Sequence, residues 1–288
     1  MWTKYFFVFL VLPLIQYCKP PAEHLYQEKN LLSDREMKFC LLGDLGMESD
    51  LQQSIADSLK EEKCDSIFFL GDLIYPDGLE SVDDPQLRQQ FLNYYDPLLE
   101  DNPNLKINII LGNHDYAGNR DIWKDLYERN PKYFFPNYYY AVDYGELCFV
   151  AIDTNFYVYK ESVGEAVNQT AWLGQLGNNL ENCKYKVVMA HHPYYGGNHS
   201  GSEGWEGAQG MMKLMMETFI NGKYDYFIAG HIHILQDEGT HDGTRHLVSG
   251  TGGELSGDGD AGYVVLHWHP KNGTPPRVEL KKLAPHLL

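Results

Sequence analysis

Hydrophobic residues fall along this chain in two rhythms. Short, mainly apolar runs occupy residues 38–42, 64–70, 107–111, 186–190 and 226–229. Such runs predict strands buried on both faces. Between them lie stretches with helical spacing. Ser49 and Gln52 are placed as a capping box, and Leu51, Ile55 and Leu59 then share one face. Asp84-Pro85 opens a helix to residue 92, and further helices are expected over 120–127, 171–180 and 211–220. The methionines of the last one read as core filling. Residues 139–143 and 147–152 predict a hairpin around Tyr144-Gly145-Glu146. Residues 156–167 read as irregular, and a Gly-rich loop over 196–207 carries His199 and Trp205. Three closing strands are expected over 246–249, 263–268 and 278–283. Strand–helix alternation followed by strand pairs predicts α/β layering with two sheets.

Each core run stops at a residue able to bind a metal. The ends carry Asp44, Asp72, Asn113, His191 and His231. In Ile67-Phe68-Phe69-Leu70-Gly71-Asp72 the glycine permits a sharp exit, so Asp72 sits at the strand's carboxyl end. Open α/β sheets place their ligands there. Turn residues of any kind serve at strand ends, so repetition of this device is the signal. Parallel strands would bring these ends to one edge. The product expected is a two-metal site in which one carboxylate bridges both ions.

Composition narrows the class. The 288 residues are 43% hydrophobic and 22% charged, as in a globular domain with a substantial core. A net charge of -17 argues against nucleic acid as a partner. It suits an anionic substrate only where bound cations reverse the local field. Lys4 followed by the apolar run from Tyr5 to Ile15 resembles a secretory signal. The run is short for a membrane span, and Pro13 interrupts it. Cys18 is a candidate lipoprotein cysteine, although Ile15-Gln16-Tyr17 is a poor match to that signal. The organisation expected is a signal over 1–18, a linker over 19–36 and one domain over 37–288. The protein would be secreted or otherwise extracytoplasmic, with an N-terminal lipid as its one membrane attachment, and monomeric. Cys40 and Cys148 lie in apolar runs and read as buried thiols; no Cys-x-x-Cys pair occurs. A disulfide suits an exported protein, with a connectivity that spacing alone leaves open. Asn168-Gln169-Thr170 and Asn272-Gly273-Thr274 match the glycosylation sequon.

The ordered motifs carry a resemblance. Asp44-x-Gly46, Gly71-Asp72-x-x-Tyr75, Gly112-Asn113-His114-Asp115, Val188-x-x-His191 and Gly230-His231-x-His233 follow one another in the chain. This order resembles the calcineurin-like metallophosphoesterases. Gly46 and Tyr75 point within them to the purple acid phosphatases, and to their small tartrate-resistant type. The resemblance runs from about residue 38 to residue 283. It implies a four-layer α/β sandwich of two packed mixed sheets flanked by helices. It implies that Asp44, Tyr75 and His233 hold a ferric ion, that Asp72 bridges, and that Asn113, His191 and His231 hold a divalent ion (Fe, Zn or Mn). Oxygen donors suit the harder ion, and imidazole and amide suit the divalent one. His114 would face the phosphate with Asn113 and protonate the leaving oxygen; the bland alternative is a histidine paired with Asp115. His199 is the candidate for an outer histidine that relatives carry nearby. His192 reads as structural or rim, and His241, His246, His267, His269 and His286 as ordinary histidines. The activity implied is hydrolysis of phosphate monoesters, on small molecules or phosphoproteins, by attack of a metal-bound hydroxide. A phosphodiesterase or nucleotide hydrolase on the same scaffold, and a non-catalytic binding protein, are the alternatives.

Overall fold

The computed structural model describes residues 24–28, 34–159, 162–196 and 209–284. The N-terminal run, Cys18, His199 and Trp205 lie outside the described residues. The strands in chain order are β1 (Leu25–Gln27), β2 (Met37–Leu42), β3 (Ser66–Leu70), β4 (Ile107–Ile110), β5 (Tyr133–Phe134), β6 (Tyr140–Asp143) and β7 (Leu147–Ala151). They continue with β8 (Tyr185–Met189), β9 (Tyr226–Ala229), β10 (Leu235–His241), β11 (Thr244–Ser249), β12 (Gly262–Trp268) and β13 (Arg277–Lys282). They form a six-stranded sheet, β13-β12-β2-β3-β4-β5, and a seven-stranded sheet, β1-β6-β7-β8-β9-β11-β10.

Why two sheets pack together follows from the double burial of the central strands. Along β2, Met37, Phe39 and Leu41 face the space between the sheets, and Cys40 and Leu42 face outward. Along β3, Phe68 and Leu70 point inward, and Ile67 and Phe69 outward. Period-two alternation with both faces apolar requires cover on both sides. Phe68 stacks on Phe149 of β7 across the inter-sheet layer, with centroids 4.6 Å apart. Helices α1 (Asp50–Glu62), α2 (Asn93–Asp101) and α4 (Ile122–Arg129) cover the outer face of the first sheet. Helices α5 (Asn155–Val158), α6 (Val163–Asn179) and α7 (Gln209–Met215) cover the second. Between α2 and α4 the short α3 (Asn113–Ala117) opens on a proposed ligand. The four-layer sandwich expected above is the fold. No helix among the described residues is long and apolar enough to cross a membrane.

Local expectations met mixed outcomes. Ser49 caps α1 by accepting from the Gln52 N–H at 3.1 Å. The Gln52 side chain accepts instead from Met47 and Glu48, so the box does not close on Ser49 itself. Met212, Met215 and Met216 are buried, as core filling requires. Residues 156–167 are largely helical rather than irregular, because α6 buries Ala166, Gln169, Trp172 and Leu173 against the sheet. Within the stretch read as a linker, Leu25–Gln27 pairs in parallel with β6 as an edge strand. Cys40 and Cys148 are not thiols. Cys40 is bonded to Cys64, and Cys148 to Cys183, with Cα atoms 6.0 and 5.7 Å apart. Those separations are ordinary for disulfides. Asp143, Cys148 and Cys183 also cluster closely, but sulfurs joined in a bridge offer a metal no thiolate.

Candidate metal centre

Strands β2, β3 and β4 run parallel in one sheet, and β7, β8 and β9 run parallel in the other. Asp44, Asp72 and Asn113 follow the first set; His191 and His231 follow the second. The expected single edge is therefore two facing edges of packed sheets. Backbone bonds lock the loops together. Asp44 N–H donates to Gly71 at 2.9 Å, Leu45 N–H to Asp72 at 2.8 Å, and Gly230 N–H to His191 at 3.0 Å. Gly71 has φ 93°, and a Cβ there would lie 2.6 Å from both Gly112 N and His191 Nδ1. Asp44, Asp72 and His231 have φ of 64°, 53° and 69°. Left-handed conformations are costly for such residues and persist where function holds them.

The side chains converge in two groups that share one atom. Tyr75 Oη stands 3.1 Å from Asp44 Oδ1, 3.0 Å from Asp72 Oδ2 and 3.2 Å from His233 Nε2. His233 Nε2 is also 3.4 Å from Asp44 Oδ1. In the second group Asn113 Oδ1 lies 3.0 Å from both His191 Nε2 and His231 Nδ1. Asp72 Oδ2 is 3.2 Å from His191 Nε2, so the same oxygen that meets Tyr75 also meets the second group. A bridging carboxylate needs this position. Asp72 Oδ1 is occupied by the His114 N–H at 2.9 Å. His191 Nδ1 donates to the Leu70 carbonyl at 2.8 Å, which turns Nε2 inward. Asp44 Oδ2 accepts the His231 N–H at 2.8 Å. His233 Nδ1 pairs with Glu254 at 3.0 Å.

A cation fits this donor set. The phenol of Tyr75 has one proton and faces three acceptors. Asp44, Asp72 and His191 each offer a donor atom within 4.8 Å of the others, all buried. Among the described residues neither aspartate pairs with Lys or Arg; their partners are histidines. Burial raises the Asp44 carboxyl above its usual range. Burial works the same way on Asp72 and is the largest single influence, but the charge and hydrogen bond of His191 together with His114 outweigh it and hold that carboxyl low. For His191 burial opposes charge, yet Asp72 and Asp44 raise it to about 9. A metal competes with that proton for the same lone pair. Burial and then the His191 charge lower His231 to about 3, which leaves it neutral and ready to ligate. Burial, Asp44 and Asp72 push the Tyr75 phenol far up; a bound cation inverts that preference.

Every expected ligand within the described residues is thus in the cluster. His114 is half-buried at its side. Its Nδ1 bonds the Pro76 carbonyl, and its ring lies 4.3 Å from that of Tyr75. It is not paired with Asp115, which accepts from Gly112 N–H at 2.8 Å and Leu73 N–H at 3.1 Å. His192 is buried, not on the rim: its ring sits 4.5 Å from His231 and bonds Thr154. Sequence reasoning missed Glu254 and Thr154, which carry no local signal, and weighed Asp115 only as a partner for His114.

Comparisons with known proteins agree with this geometry. Residues 37–235 match the family described as calcineurin-like phosphoesterase. Purple acid phosphatase 7 of Arabidopsis thaliana is 30% identical over 264 residues, covering 83% of this chain and 75% of that protein. Purple acid phosphatase 17 of the same plant is 26% identical, covering 82% and 73%. Among solved structures, GAP50, the anchor in the inner membrane complex of Plasmodium, aligns with a TM-score of 0.62 at 18% identity, covering 86% and 89%. A purple acid phosphatase from yellow lupin (Lupinus luteus) seeds aligns at 0.55 and 16%, covering 82% and 50%. At those identities the structural matches speak for the fold.

Proposed function

The chain belongs to the calcineurin-like phosphoesterases, with homology to purple acid phosphatases over most of its length, and from that premise we propose that it is an acid phosphatase acting on phosphate monoesters at a dinuclear, iron-containing centre. Within that group the reading favours the small tartrate-resistant type. The observation that carries it is Tyr75, whose hydroxyl lies 3.0 to 3.2 Å from Asp44, Asp72 and His233. A phenolate beside a buried carboxylate pair suits a hard ferric ion. Asp44, Tyr75 and His233 would hold that ion. Asn113, His191 and His231 would hold Fe, Zn or Mn as the divalent ion, with Asp72 shared.

When bound, such ions would polarise the phosphate and supply a nucleophilic water at neutral or acid pH. The chain's own groups do the rest. His114 is held by the Pro76 carbonyl through Nδ1, so Nε2 is the atom able to give a proton to the leaving oxygen. Asn113 and His114 flank the phosphate from the start of α3. His199 remains a candidate phosphate contact in the loop outside the described residues.

Two disulfides suit an oxidising compartment, which supports an extracytoplasmic site of action. Small phosphorylated molecules or phosphoproteins are the substrates this reading favours, with the protein acting as a monomer. A fold-mate that serves as an anchor keeps a non-catalytic role in view. The filled ligand set argues against it here. The test is elemental analysis with rates on p-nitrophenyl phosphate and its bis-ester. Two ions per chain, at least one of them iron, and faster monoester cleavage are expected. One ion, or two without iron, would remove the assignment; a preference for the diester would move the chain to the diesterases.

A further inference from the structure

The second half of the cluster draws Asn113 from one sheet and His191 and His231 from the other. The sheets meet through apolar side chains, whose attraction is strong but undirected. Ligands need placement to about 0.5 Å. Directional ties across the sheets are therefore required, and beside the His191 Nδ1–Leu70 and His231 N–H–Asp44 bonds a further one is present. Asp153, Thr154 and Asn155 leave the carboxyl end of β7 and are fully buried.

These residues reach both ligand-bearing loops. Thr154 Oγ1 accepts the His192 N–H at 3.0 Å and pairs with His192 Nδ1 at 2.8 Å. The His192 ring then lies 4.9 Å from His191 and 4.5 Å from His231. On the other side, Asn155 Nδ2 donates to the Leu111 carbonyl at 3.2 Å, just before Asn113. Tyr116, just after Asn113, donates to Asp153 Oδ2 at 2.5 Å. Asp153 Oδ1 accepts from the Asn155 backbone and side chain, both at 2.9 Å. Gln169 of α6 grips the Asp153 peptide at 2.8 and 2.9 Å. Among the described residues no hydrogen bond joins this tripeptide to Asp44, Tyr75 or His233.

We propose that Asp153-Thr154-Asn155 is a positioning clamp that sets the Asn113–His191–His231 half of the metal centre and leaves the Tyr75 half to itself. This rests on the dinuclear reading above. None of the three touches a metal or substrate; they act through Asn113, His191 and His231.

The test titrates Zn2+ into iron-loaded full-length protein carrying Thr154→Val or Thr154→Ser, following zinc affinity and the visible band of the iron site. Thr154→Val should weaken zinc about 10- to 100-fold, the range for groups that orient metal ligands, with the band unchanged. Thr154→Ser keeps the hydroxyl and should titrate like wild type. A lower melting temperature does not discriminate; the difference between the two ions does. Wild-type zinc affinity in Thr154→Val, or equal loss of both ions, overturns the clamp. If Thr154→Val does not fold, Asn155→Ala is read the same way from the Leu111 side. A wild-type chain that takes up no second ion sinks the dinuclear reading itself, a result distinct from a two-ion protein indifferent to Thr154.

Discussion

The backbone N–H of Tyr75 donates to the carbonyl of Gly46 at 3.1 Å. This bond docks the loop after β3 onto the loop after β2. A Cβ on Gly46 would overlap the Leu73 carbonyl and sit 2.5 Å from the Ile74 Cα, so the docking needs glycine. Once docked, the Tyr75 ring reaches over Asp72 and places its hydroxyl between both aspartates and His233. Two motif positions far apart in sequence are thus one device.

Tyr75→Phe should leave this docking intact, because the bond is made by the backbone. It deletes only the oxygen. The oxidised, iron-loaded wild type should be purple or pink through phenolate-to-iron charge transfer, and the variant should lose that band while keeping its fold and some hydrolysis. A colourless wild type with iron verified would mean that Tyr75 does not bind the metal.

The strands that carry the cluster were legible because each is a short, mainly apolar run that stops at a functional residue. Helix α6 was legible only in its second half, expected over 171–180. Its first turns contain Val163, Gly164 and Val167, poor helix formers, and burial of Ala166 and Gln169 overrides them. Strand β10 was missed because Gln236, Asp237, Glu238 and Thr240 give it no apolar rhythm, and its register shifts at Asp237 and Gly239. The disulfides escaped because pairing is a property of distance in space. Cys40 and Cys148 sit in apolar strands whether bonded or not. Asp153, Thr154 and Asn155 drew no reading at all, since buried hydrogen bonds to distant loops leave no spacing signature.

His114→Ala should slow esters with poor leaving groups most, by roughly 10²- to 10⁴-fold in kcat, the range for a general acid. Activated aryl phosphates need little protonation and should lose less. Steady-state kinetics on an alkyl and an aryl phosphate decide it. Equal losses with both metals retained would reduce His114 to a phosphate-positioning group.

The bridge between Cys148 and Cys183 spans 35 positions and ties β7 to the approach to β8. A closed loop of that size should contribute about 3–4 kcal/mol, chiefly by restricting the unfolded chain. Replacing both cysteines with alanine should lower the urea unfolding free energy by that amount. A loss under about 1 kcal/mol, with the bridge verified by thiol titration of the wild type, would show that closing this loop contributes little to stability.

The last expectation concerns acid stability and His246. This side chain is 1% exposed, and among the described residues neither ring nitrogen has a hydrogen-bond partner. Phe227, Tyr195 and His241 surround it, with centroids 5.4, 4.7 and 5.8 Å away. Burial, then the His241 charge, lowers it from 6.5 to about 4. Between those values the unfolded chain takes up a proton that the folded chain refuses. Stability from this site is therefore complete above about pH 6.5, declines as pH falls towards 4, and changes no further below that. His246→Phe keeps the ring and removes both nitrogens. It should stabilise the fold by about 1–3 kcal/mol at pH 7 by ending the burial of unpaired polar atoms, and by more at lower pH. It should also flatten the pH dependence of unfolding by up to about 1.4 kcal/mol per unit between pH 4 and 6.5. The metal ligands titrate alike in both proteins, so the difference between them isolates His246. Urea midpoints at pH 7.0, 5.5 and 4.5, set by design, would show it; parallel curves would mean that His246 takes up its proton in the folded state.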